Sequence, residues 1–310
     1  MILVTGSLAF DHIMDFPGKF ADHILPDKIH QINLSFLVNN LSKQKGGNAG
    51  NIAYTLALFG CPVAIVGSVG GDFSEYANFL QDAGVDVSKI KIIEGDSTSS
   101  AFIMTDLADN QITAFYPGAM NEASSLSLSG VQSDLVVISP NDPNAMVNFV
   151  KQCQISHTPY MFDPGMQLPV LSDEQLLQEI SAAEILVGND YEMELIKQRI
   201  KDQTLLKKIK ILITTLGEKG SLIQTKEQTI QVNPAKPDQV LDPTGAGDAY
   251  RAGFLAGYIK NLDLKTCGQM GSVAACYAIE KYGTTNHKFS ILEFCQRYKE
   301  NFGEELNYEI

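Results

Sequence analysis

The sequence predicts an α/β protein with a mostly parallel central sheet, helices on both faces of that sheet, and a small β-sheet lid beside it. From residue 134 onward, short apolar runs alternate with runs of helical period, as in a parallel sheet with crossover helices. Between residues 89 and 116, strand-like patterns follow one another directly, which indicates a second, smaller β element. The length of 310 residues fits one large α/β domain or two smaller ones.

Composition and charge exclude several classes of protein. Hydrophobic residues make up 45% of the chain, which excludes wholesale disorder. The formal charge is −13 at pH 7, and no basic stretch is long enough to follow a nucleic-acid backbone, so we expect no nucleic-acid partner. A phosphate-binding site in such a chain must be made positive locally, by backbone amides and a metal ion.

The cysteines and the apolar runs indicate the cellular compartment of the protein. The five cysteines are scattered and lack any C-x-x-C spacing, which favours a reducing compartment over disulfides or structural zinc. No apolar run reaches about 18 residues, the length a membrane span requires. The first six residues read as a buried strand and carry no basic leader segment. We therefore expect a cytoplasmic protein without a membrane partner.

The first predicted strand, at residues 2–4, ends in Gly6 and Ser7 and is followed by Asp11 and His12. Polar groups just beyond the carboxyl end of a strand are where α/β folds usually bind ligands. Asp11 can hold sugar hydroxyls there, or it can be a turn or capping aspartate. The segment itself leaves both interpretations open, whereas His12 has no partner at metal-ligand spacing.

The lid is predicted from residues 14–45 and 97–117. Its strands are expected at 35–38, extended back to 32, at 99–105 and at 111–116, and residues 89–93 show the same alternation. Phe102 and Phe115 fall in these strands. Aromatic rings near a pocket can stack on a nucleobase, a contact of about 1–3 kcal/mol per base. Ordinary packing within the lid is the simpler explanation of the two rings.

A glycine-rich segment at residues 46–51, GGNAGN, begins a predicted helix. Asn48 can cap this helix, whose apolar residues follow at helical spacing and which Gly60 ends. The paired glycines permit close approach of the backbone to a ligand. Asn48 and Asn51 offer neutral donors and acceptors suited to a vicinal diol. The spacing of a dinucleotide fingerprint is absent, and the chain has no Walker loop.

The regular half of the chain has predicted strands at 135–139, 160–163, 185–187 and 209–215. Asn189 follows the third of these strands and can cap the next helix, and Glu192 can complete a capping box. A later helix, predicted at 266–281, carries small residues at Gly271, Ala274, Ala275 and Ala278, where an adenine can lie close.

The sequence is most informative at residues 242–248, DPTGAGD, which lie between a short apolar run ending at residue 241 and a long helical run at 249–259. The amides of residues 245–248 should converge without intrahelical partners and, with the helix dipole, attract an anion. A carboxylate at Asp248 can then accept the proton of a hydroxyl that attacks phosphorus. A glycine-rich turn with a helix-start aspartate is the plainer interpretation. Arg251, one turn on, can pair with a phosphate or with Asp248.

These segments resemble the signatures of the PfkB carbohydrate kinase family, also called the ribokinase-like family, and most closely its bacterial adenosine kinases. The resemblance covers residues 1–310 as a single ribokinase-like kinase domain with the β lid. Residues 242–254 resemble the second family signature and residues 46–51 the first. Further matching segments are 5–7 with 11–12, 16–20, 34–38, 115–120 and 189–192.

Carried over position by position, the resemblance implies roles for individual residues. Asp248 would be the catalytic base, beside the amides of Gly245, Ala246 and Gly247. The nucleoside would be bound by Ser7, Asp11, Ser35, Gly47, Asn48, Asn51, Phe102, Phe115, Met120 and Gln167, the last four around the base. ATP would be contacted by Asn189, Thr215, Gly217, Gly220 and Gly247. Glu192 would organise magnesium through water.

The activity that the resemblance implies is ATP-dependent phosphorylation of the 5′-hydroxyl of adenosine to give AMP, as in purine salvage. ATP and Mg²⁺ would be the cofactors, a monovalent cation such as K⁺ is allowed, and a homodimer would form through the lid. Two alternatives stay open. One is a family member that phosphorylates a sugar or another nucleoside. The other is a nucleoside-binding protein without catalysis, because a fold does not fix a function.

Overall fold

The computed structural model describes residues 1–24, 33–108, 110–200 and 204–308. Within these residues the chain forms a nine-stranded sheet and a separate four-stranded sheet. The larger sheet consists of β1 (Ile2–Thr5), β4 (Val63–Gly70), β5 (Asp86–Ile93), β8 (Leu135–Ile138), β9 (Tyr160–Phe162), β10 (Ile185–Asn189), β11 (Ile211–Thr215), β12 (Ser221–Gln224) and β13 (Thr229–Val232). The smaller sheet consists of β2 (Ala9–Asp15), β3 (Asn40–Gly46), β6 (Ser99–Thr105) and β7 (Gln111–Tyr116).

The larger sheet runs in the order β13-β12-β11-β10-β9-β8-β1-β4-β5. All neighbouring strands from β11 to β5 are parallel, and the pairings of β11 with β12 and of β12 with β13 are antiparallel. The carboxyl ends of the parallel strands therefore share one edge of the sheet, where α/β folds bind ligands. The predicted mostly parallel sheet is confirmed.

Eight helices of the described chain cover both faces of this sheet. They are α1 (Asn48–Leu58), α2 (Ser74–Asp82), α3 (Pro143–Ser156), α4 (Asp173–Ser181), α5 (Asp190–Arg199), α6 (Ala246–Ile259), α7 (Leu264–Ile279) and α8 (Ile291–Phe302). Successive strand residues point to opposite faces and so belong to different cores. Ile2 and Val4 pack with the face of α1, α2, α6, α7 and α8, whereas Leu3 packs with the face of α3, α4 and α5.

The smaller sheet has the order β3-β2-β6-β7, and its position beside the larger sheet agrees with the predicted lid. Strand β2 is one of its two inner strands, because it pairs with β3 on one side and β6 on the other. Asp11 therefore lies inside a strand of the lid, paired with Gln44 and Ala101, and not in a loop after β1.

Two of the predicted lid strands are wrong. Residues 33–38 form no strand, and residue 32 lies outside the described part of the chain. Phe36 instead packs its ring against Phe16 and Phe20, with ring centroids 4.9 and 5.3 Å apart. Residues 89–93 belong to β5, which pairs with β4 in the larger sheet.

Helices α6 and α7 pack closely through their small residues. A side chain at Gly271 would meet the carbonyl oxygen of Tyr250 at 2.8 Å, and one at Gly253 would meet that of Met270 at 2.6 Å. Ala274 and Ala278 are fully buried. Gly271, Ala274 and Ala278 therefore serve helix packing, and the expectation that an adenine lies against these three residues is wrong. Ala275 is half-buried, and an adenine close to it stays a prediction.

Among the described residues, no helix has both the length and the apolar character needed to cross a membrane. The five cysteines are free thiols, four of them buried. Burial raises the pKa of the Cys153 thiol to about 12, so this thiol is protonated at neutral pH and inert.

Candidate active site

The two glycine-rich motifs meet at the carboxylate of Asp248. The side-chain amide of Asn48 donates to Oδ1 of Asp248 at 2.9 Å, and that of Asn51 donates to Oδ2 at 2.8 Å. Both asparagines lie in the first turn of α1, and Asp248 lies in the first turn of α6. The first turn of α1 thus binds both carboxylate oxygens of Asp248, which lies 200 residues after Asn48 in the chain.

Gly47, and not Asn48, caps helix α1. It has a φ of 89°, and a side chain there would collide with the backbone of Ser7 and Ala9. The predicted cap at Asn48 is therefore wrong, since the side chain of Asn48 is turned toward Asp248. The hydroxyl of Ser7 donates to Oδ1 of Asn48 at 3.3 Å and accepts from its backbone N–H at 3.1 Å. This pair of hydrogen bonds fixes Asn48.

Asn51 is buried, with 5% of its surface exposed, and both ends of its amide are engaged. Its carbonyl oxygen accepts from the hydroxyl of Thr284 at 2.7 Å, while its nitrogen serves Asp248. The side chain therefore fixes the carboxylate with one of its two N–H groups and accepts with one of its two carbonyl lone pairs. Asn51 thus positions Asp248, and a contact of Asn51 with ribose stays a prediction.

The loop before α6 is held by Asp242. Its carboxylate accepts from the backbone N–H of Thr244 and of Gly283, both at 2.9 Å. Gly245 then caps α6 with a φ of 81°, in the left-handed region that glycine enters without strain. A side chain at Gly245 would meet Thr284 at 3.0 Å.

The predicted nest of amides is smaller than four. The N–H of Ala246 donates to the carbonyl of Pro243 at 3.3 Å, and the first intrahelical bond runs from Ala249 to Gly245 at 2.9 Å. Within the described chain the N–H groups of Gly247 and Asp248 have no backbone partner. Like the N–H of Gly245 just before α6, these two amides at the positive end of the helix have no partner among the described residues and are free to bind an anion.

Burial raises the pKa of Asp248, whereas Arg251 and the amides of Asn48 and Asn51 act to lower it. Asp11 is affected similarly: burial, then the charges of Asp242 and Asp248, raise its pKa to about 6. Two carboxylates with raised pKa values thus face one site, a feature of sites that transfer protons.

Arg251 pairs with Asp163, a residue that the sequence analysis did not single out. Nε of Arg251 lies 2.7 Å from Oδ2 of Asp163, and the side chains are 10% and 1% exposed. Asp163 directly follows β9 at the ligand-binding edge of the sheet. An acidic residue directly after a buried strand was the signal available in the sequence.

A cleft of about 610 Å³ opens beside Asp248 and Arg251. Four of the five residues expected to contact ATP line it together with Gly245; the four are Asn189, Thr215, Gly217 and Gly247. Gly220 does not line the cleft. It has a φ of 82°, and a side chain there would collide with the carbonyl of Val232, so its role is to close the turn before β12.

The capping box at the start of α5 is confirmed. The N–H of Glu192 donates to Oδ1 of Asn189, and the N–H of Asn189 donates to Oε2 of Glu192, both at 2.8 Å. The carboxylate of Glu192 is thereby directed back to the end of β10, at the wall of the cleft.

The two lid phenylalanines lie on opposite faces of the smaller sheet. Asp11, Ala101 and Phe115 are directly paired across three strands and so share a face. Phe102 is paired with His12 and stacks on its ring at 4.8 Å, on the other face. Phe115 can therefore face a ligand held by Asp11, and Phe102 cannot.

The remaining residues expected at the nucleoside come from three separate segments of the chain. Met120 is 7% exposed in a short 3-10 helix, Gly118–Ser125, that follows the lid. Gln167 is half-buried in the 3-10 helix Gly165–Gln167, just beyond β9. Ser35 is exposed in the irregular segment 33–38, outside the predicted strand.

The profile of the pfkB family of carbohydrate kinases matches residues 7–290 of the chain. The chain is a PfkB family carbohydrate kinase. A nucleoside kinase of Methanocaldococcus jannaschii is 34% identical over 91% of this chain and 91% of its own length. The PfkB chain described here is therefore an enzyme that transfers a phosphoryl group to a hydroxyl.

Solved structures agree with this family and with the predicted fold class. The nucleoside kinase of Burkholderia thailandensis in complex with inosine is 32% identical, with a TM-score of 0.89 over 98% of this chain and 99% of its own. Ribokinase of Thermotoga maritima, at 19% identity, shares the fold with a TM-score of 0.81 over 97% of this chain and 99% of its own. The resemblance to the family is confirmed, whereas these nucleoside kinases are not named adenosine kinases.

Proposed function

We propose that this PfkB kinase is a nucleoside kinase that transfers the γ-phosphoryl group of ATP to the 5′-hydroxyl of a purine nucleoside. One observation carries the proposal: Asp248, fixed by two amides, lies beside two free N–H groups at the start of α6 and at the mouth of a cleft. The names of the relatives from Methanocaldococcus and Burkholderia support a nucleoside as acceptor.

The proposed step needs positioning and charge neutralisation more than covalent chemistry. The nucleoside oxygen forms a bond to the γ-phosphorus, and the bond from that phosphorus to the β–γ bridging oxygen breaks. ADP leaves with the electron pair of the broken bond. Asp248 takes the proton of the hydroxyl, and the amides of Gly247 and Asp248 donate to the transferring group.

The cleft suits a triphosphate only together with a cation. Its lining carries Asp190, Glu192 and Asp248 against the single guanidinium of Arg251. Within the described chain no three carboxylate, histidine or cysteine side chains form a metal cage. Mg²⁺ is often bound in this way, through substrate phosphates, water and one or two carboxylates. Glu192 is the carboxylate that would hold it through water, and the ion would neutralise phosphate charge.

Asp11 and Phe115 support a nucleoside on the other side of Asp248. They share the inner face of the smaller sheet, so a ribose on Asp11 would place its base within reach of Phe115. Adenosine, giving AMP for purine salvage, is the acceptor that the sequence favours. The inosine complex of the Burkholderia relative makes a 6-oxopurine nucleoside an equal candidate.

The outer face of the smaller sheet supports a homodimer formed through the lid. Met14, Leu41, Met104 and Ile112 lie side by side across its four strands. Leu41 is 64% and Ile112 45% exposed. Leu41→Glu should shift the sedimentation coefficient from that of a dimer to that of a monomer. A wild-type chain that sediments as a monomer at micromolar concentration would contradict the dimer.

An acceptor panel tests the proposed function. Release of ADP from Mg²⁺-ATP is measured with adenosine, inosine, guanosine, ribose and fructose 6-phosphate, and the product is identified by chromatography. We expect a nucleoside 5′-monophosphate from at least one purine nucleoside, at a higher kcat/KM than for any sugar. Preferential phosphorylation of ribose or fructose 6-phosphate would support the sugar kinase alternative instead.

A further inference from the structure

Arg251 is the only lysine or arginine among the residues that line the cleft in the described chain. It lies on α6 one turn after Asp248 and is 8% exposed as a residue. A buried guanidinium beside a phosphate site either pairs with protein carboxylates alone or reserves donors for the ligand. The contacts of its three nitrogens distinguish these cases.

Only one nitrogen of the guanidinium is paired. Nε lies 2.7 Å from Asp163, whose side chain is almost wholly buried. Nη1 and Nη2 have no hydrogen-bond partner among the residues that the structure describes. Since a guanidinium carries five N–H donors, the four on Nη1 and Nη2 remain available.

Gly247 leaves room for the guanidinium of Arg251. A side-chain carbon at Gly247 would lie 2.6 Å from Nη1 of Arg251, closer than any real contact of that kind. The guanidinium therefore lies directly against the residue whose free N–H belongs to the anion-binding turn. Gly247 thus serves two purposes, because it contributes its N–H and leaves the space that Arg251 occupies.

Arg297, whose side chain is 12% exposed, shows the opposite arrangement. Nη1 of Arg297 donates to Oε2 of Glu280 at 2.8 Å, and Nη2 donates to Oε1 of the same carboxylate and to the carbonyl of Lys236. Both terminal nitrogens of Arg297 are thereby used within the protein, on α8 and away from the cleft. Arg297 joins elements of the fold, whereas Arg251 keeps its terminal nitrogens free.

We propose that Arg251 is a catalytic residue that donates to the transferred phosphoryl group, and that Asp163 is the positioning residue that fixes its guanidinium. The proposal rests on the proposed phosphoryl transfer and adds a cationic side chain to the two backbone amides. A planar guanidinium offers parallel N–H groups that match phosphoryl oxygens, which an ammonium does not. Charge spread over those oxygens in the transition state makes the contact stronger there than in the bound ATP.

Four variants test the proposal: Arg251→Gln, Arg251→Lys, Asp163→Asn and, as the matched control, Arg297→Gln. For each, kcat and KM for ATP are measured with the best acceptor of the panel, and the melting temperature is recorded. We expect Arg251→Gln to lower kcat by about 10²–10³-fold, as loss of one transition-state donor does elsewhere. KM for ATP should change much less than kcat.

The other three variants separate catalysis from folding. Arg251→Lys should recover part of the lost turnover, because it keeps the charge but cannot reach Asp163 and a phosphoryl group together. Asp163→Asn should lower kcat by less than Arg251→Gln while leaving KM for ATP near that of the wild type. Arg297→Gln should lower the melting temperature without lowering kcat.

A binding measurement completes the test and does not depend on the identity of the acceptor. Affinities for Mg²⁺-ADP alone and with aluminium fluoride, a mimic of the transferring group, are compared by calorimetry. Arg251→Gln should weaken the affinity for Mg²⁺-ADP with aluminium fluoride far more than the affinity for Mg²⁺-ADP alone. Equal loss of both affinities, or a melting loss like that of Arg297→Gln with kcat unchanged, would overturn the proposal. Failure of nucleosides in the acceptor panel would overturn only the assignment of substrate.

Discussion

Two buried carboxylates of this kinase, Asp248 and Glu179, differ in what surrounds them. Burial raises the pKa of both groups, and it takes that of Glu179 to about 8. Asp248 is held by Asn48 and Asn51 and opens on a cleft. Glu179 lies on α4 with no exposed surface, and neither of its carboxylate oxygens has a hydrogen-bond partner among the described residues.

The difference shows that a shifted pKa does not by itself mark an active site. Tyr160 donates its hydroxyl to the backbone carbonyl of Glu179 at 2.7 Å and leaves the carboxylate unsatisfied. Such a group costs stability and has no access to a substrate. Asp248 is identified as functional by its partners and by the cleft, and the raised pKa only adds to that evidence.

Replacing Asp248 should have the largest effect on activity. Asp248→Asn keeps the size of the side chain but removes the group that accepts the proton, so turnover should fall by about 10²–10⁴-fold. Affinity for the nucleoside, measured by calorimetry, should change little. The same exchange at Glu179, Glu179→Gln, is the control and should leave turnover unchanged. Near-normal turnover of Asp248→Asn would exclude it as the base.

Removing one of the amides that hold Asp248 should have an intermediate effect. Asn51→Ala leaves Oδ2 of a buried carboxylate without its donor, and hydrogen bonds to a charged group are worth about 1.5–3 kcal/mol. Loss of a donor to the ionised form raises the pKa of Asp248 further. The acidic limb of the plot of kcat against pH should therefore move to higher pH. A limb that stays in place while kcat falls would indicate that Asn51 does not act through the carboxylate.

Replacing Glu179 should change stability and leave catalysis alone. Burial raises the pKa of the Glu179 carboxyl from its ordinary value of 4.5 to about 8 in the folded chain. The folded chain therefore holds this proton more tightly than the unfolded chain does. The unfolded chain binds fewer protons between these values, and stability should fall as pH rises from about 4.5 to about 8. Glu179→Leu should raise the free energy of unfolding by about 1–3 kcal/mol at pH 8. The gain over the wild type should shrink toward pH 5, and a gain independent of pH would contradict this account.

Regular parts of the fold were predictable because their signals are local. The alternation of apolar and helical runs after residue 134 is confirmed as the parallel sheet, and so is the capping box of Asn189 and Glu192. Strands β2 and β3 were missed because they are half-exposed and carry charged or polar residues along their length. The apolar residues at 35–38 misled the prediction, since Phe36 belongs to an aromatic cluster and not to a strand.

The site was predictable in its residue types but not in its contacts. The GGNAGN and DPTGAGD motifs indicated ligand binding and a base at Asp248, but only the folded chain brings Asn48 and Asn51 to that carboxylate. The pairing of Arg251 with Asp163 joins α6 to the end of β9, and no local pattern reports such a contact. Phe102 and Phe115 look equivalent in sequence, and the register of β6 and β7 puts them on opposite faces.

A double-mutant cycle on Asn51 and Asp248 tests most directly that the asparagine acts through the carboxylate. Turnover is measured for the wild type, Asn51→Ala, Asp248→Asn and the double variant at the same pH and saturating substrates. If Asp248 is the base and Asn51 only fixes it, the double variant should be no slower than Asp248→Asn alone. Effects that multiply, so that Asn51→Ala slows Asp248→Asn as much as it slows the wild type, would contradict the account.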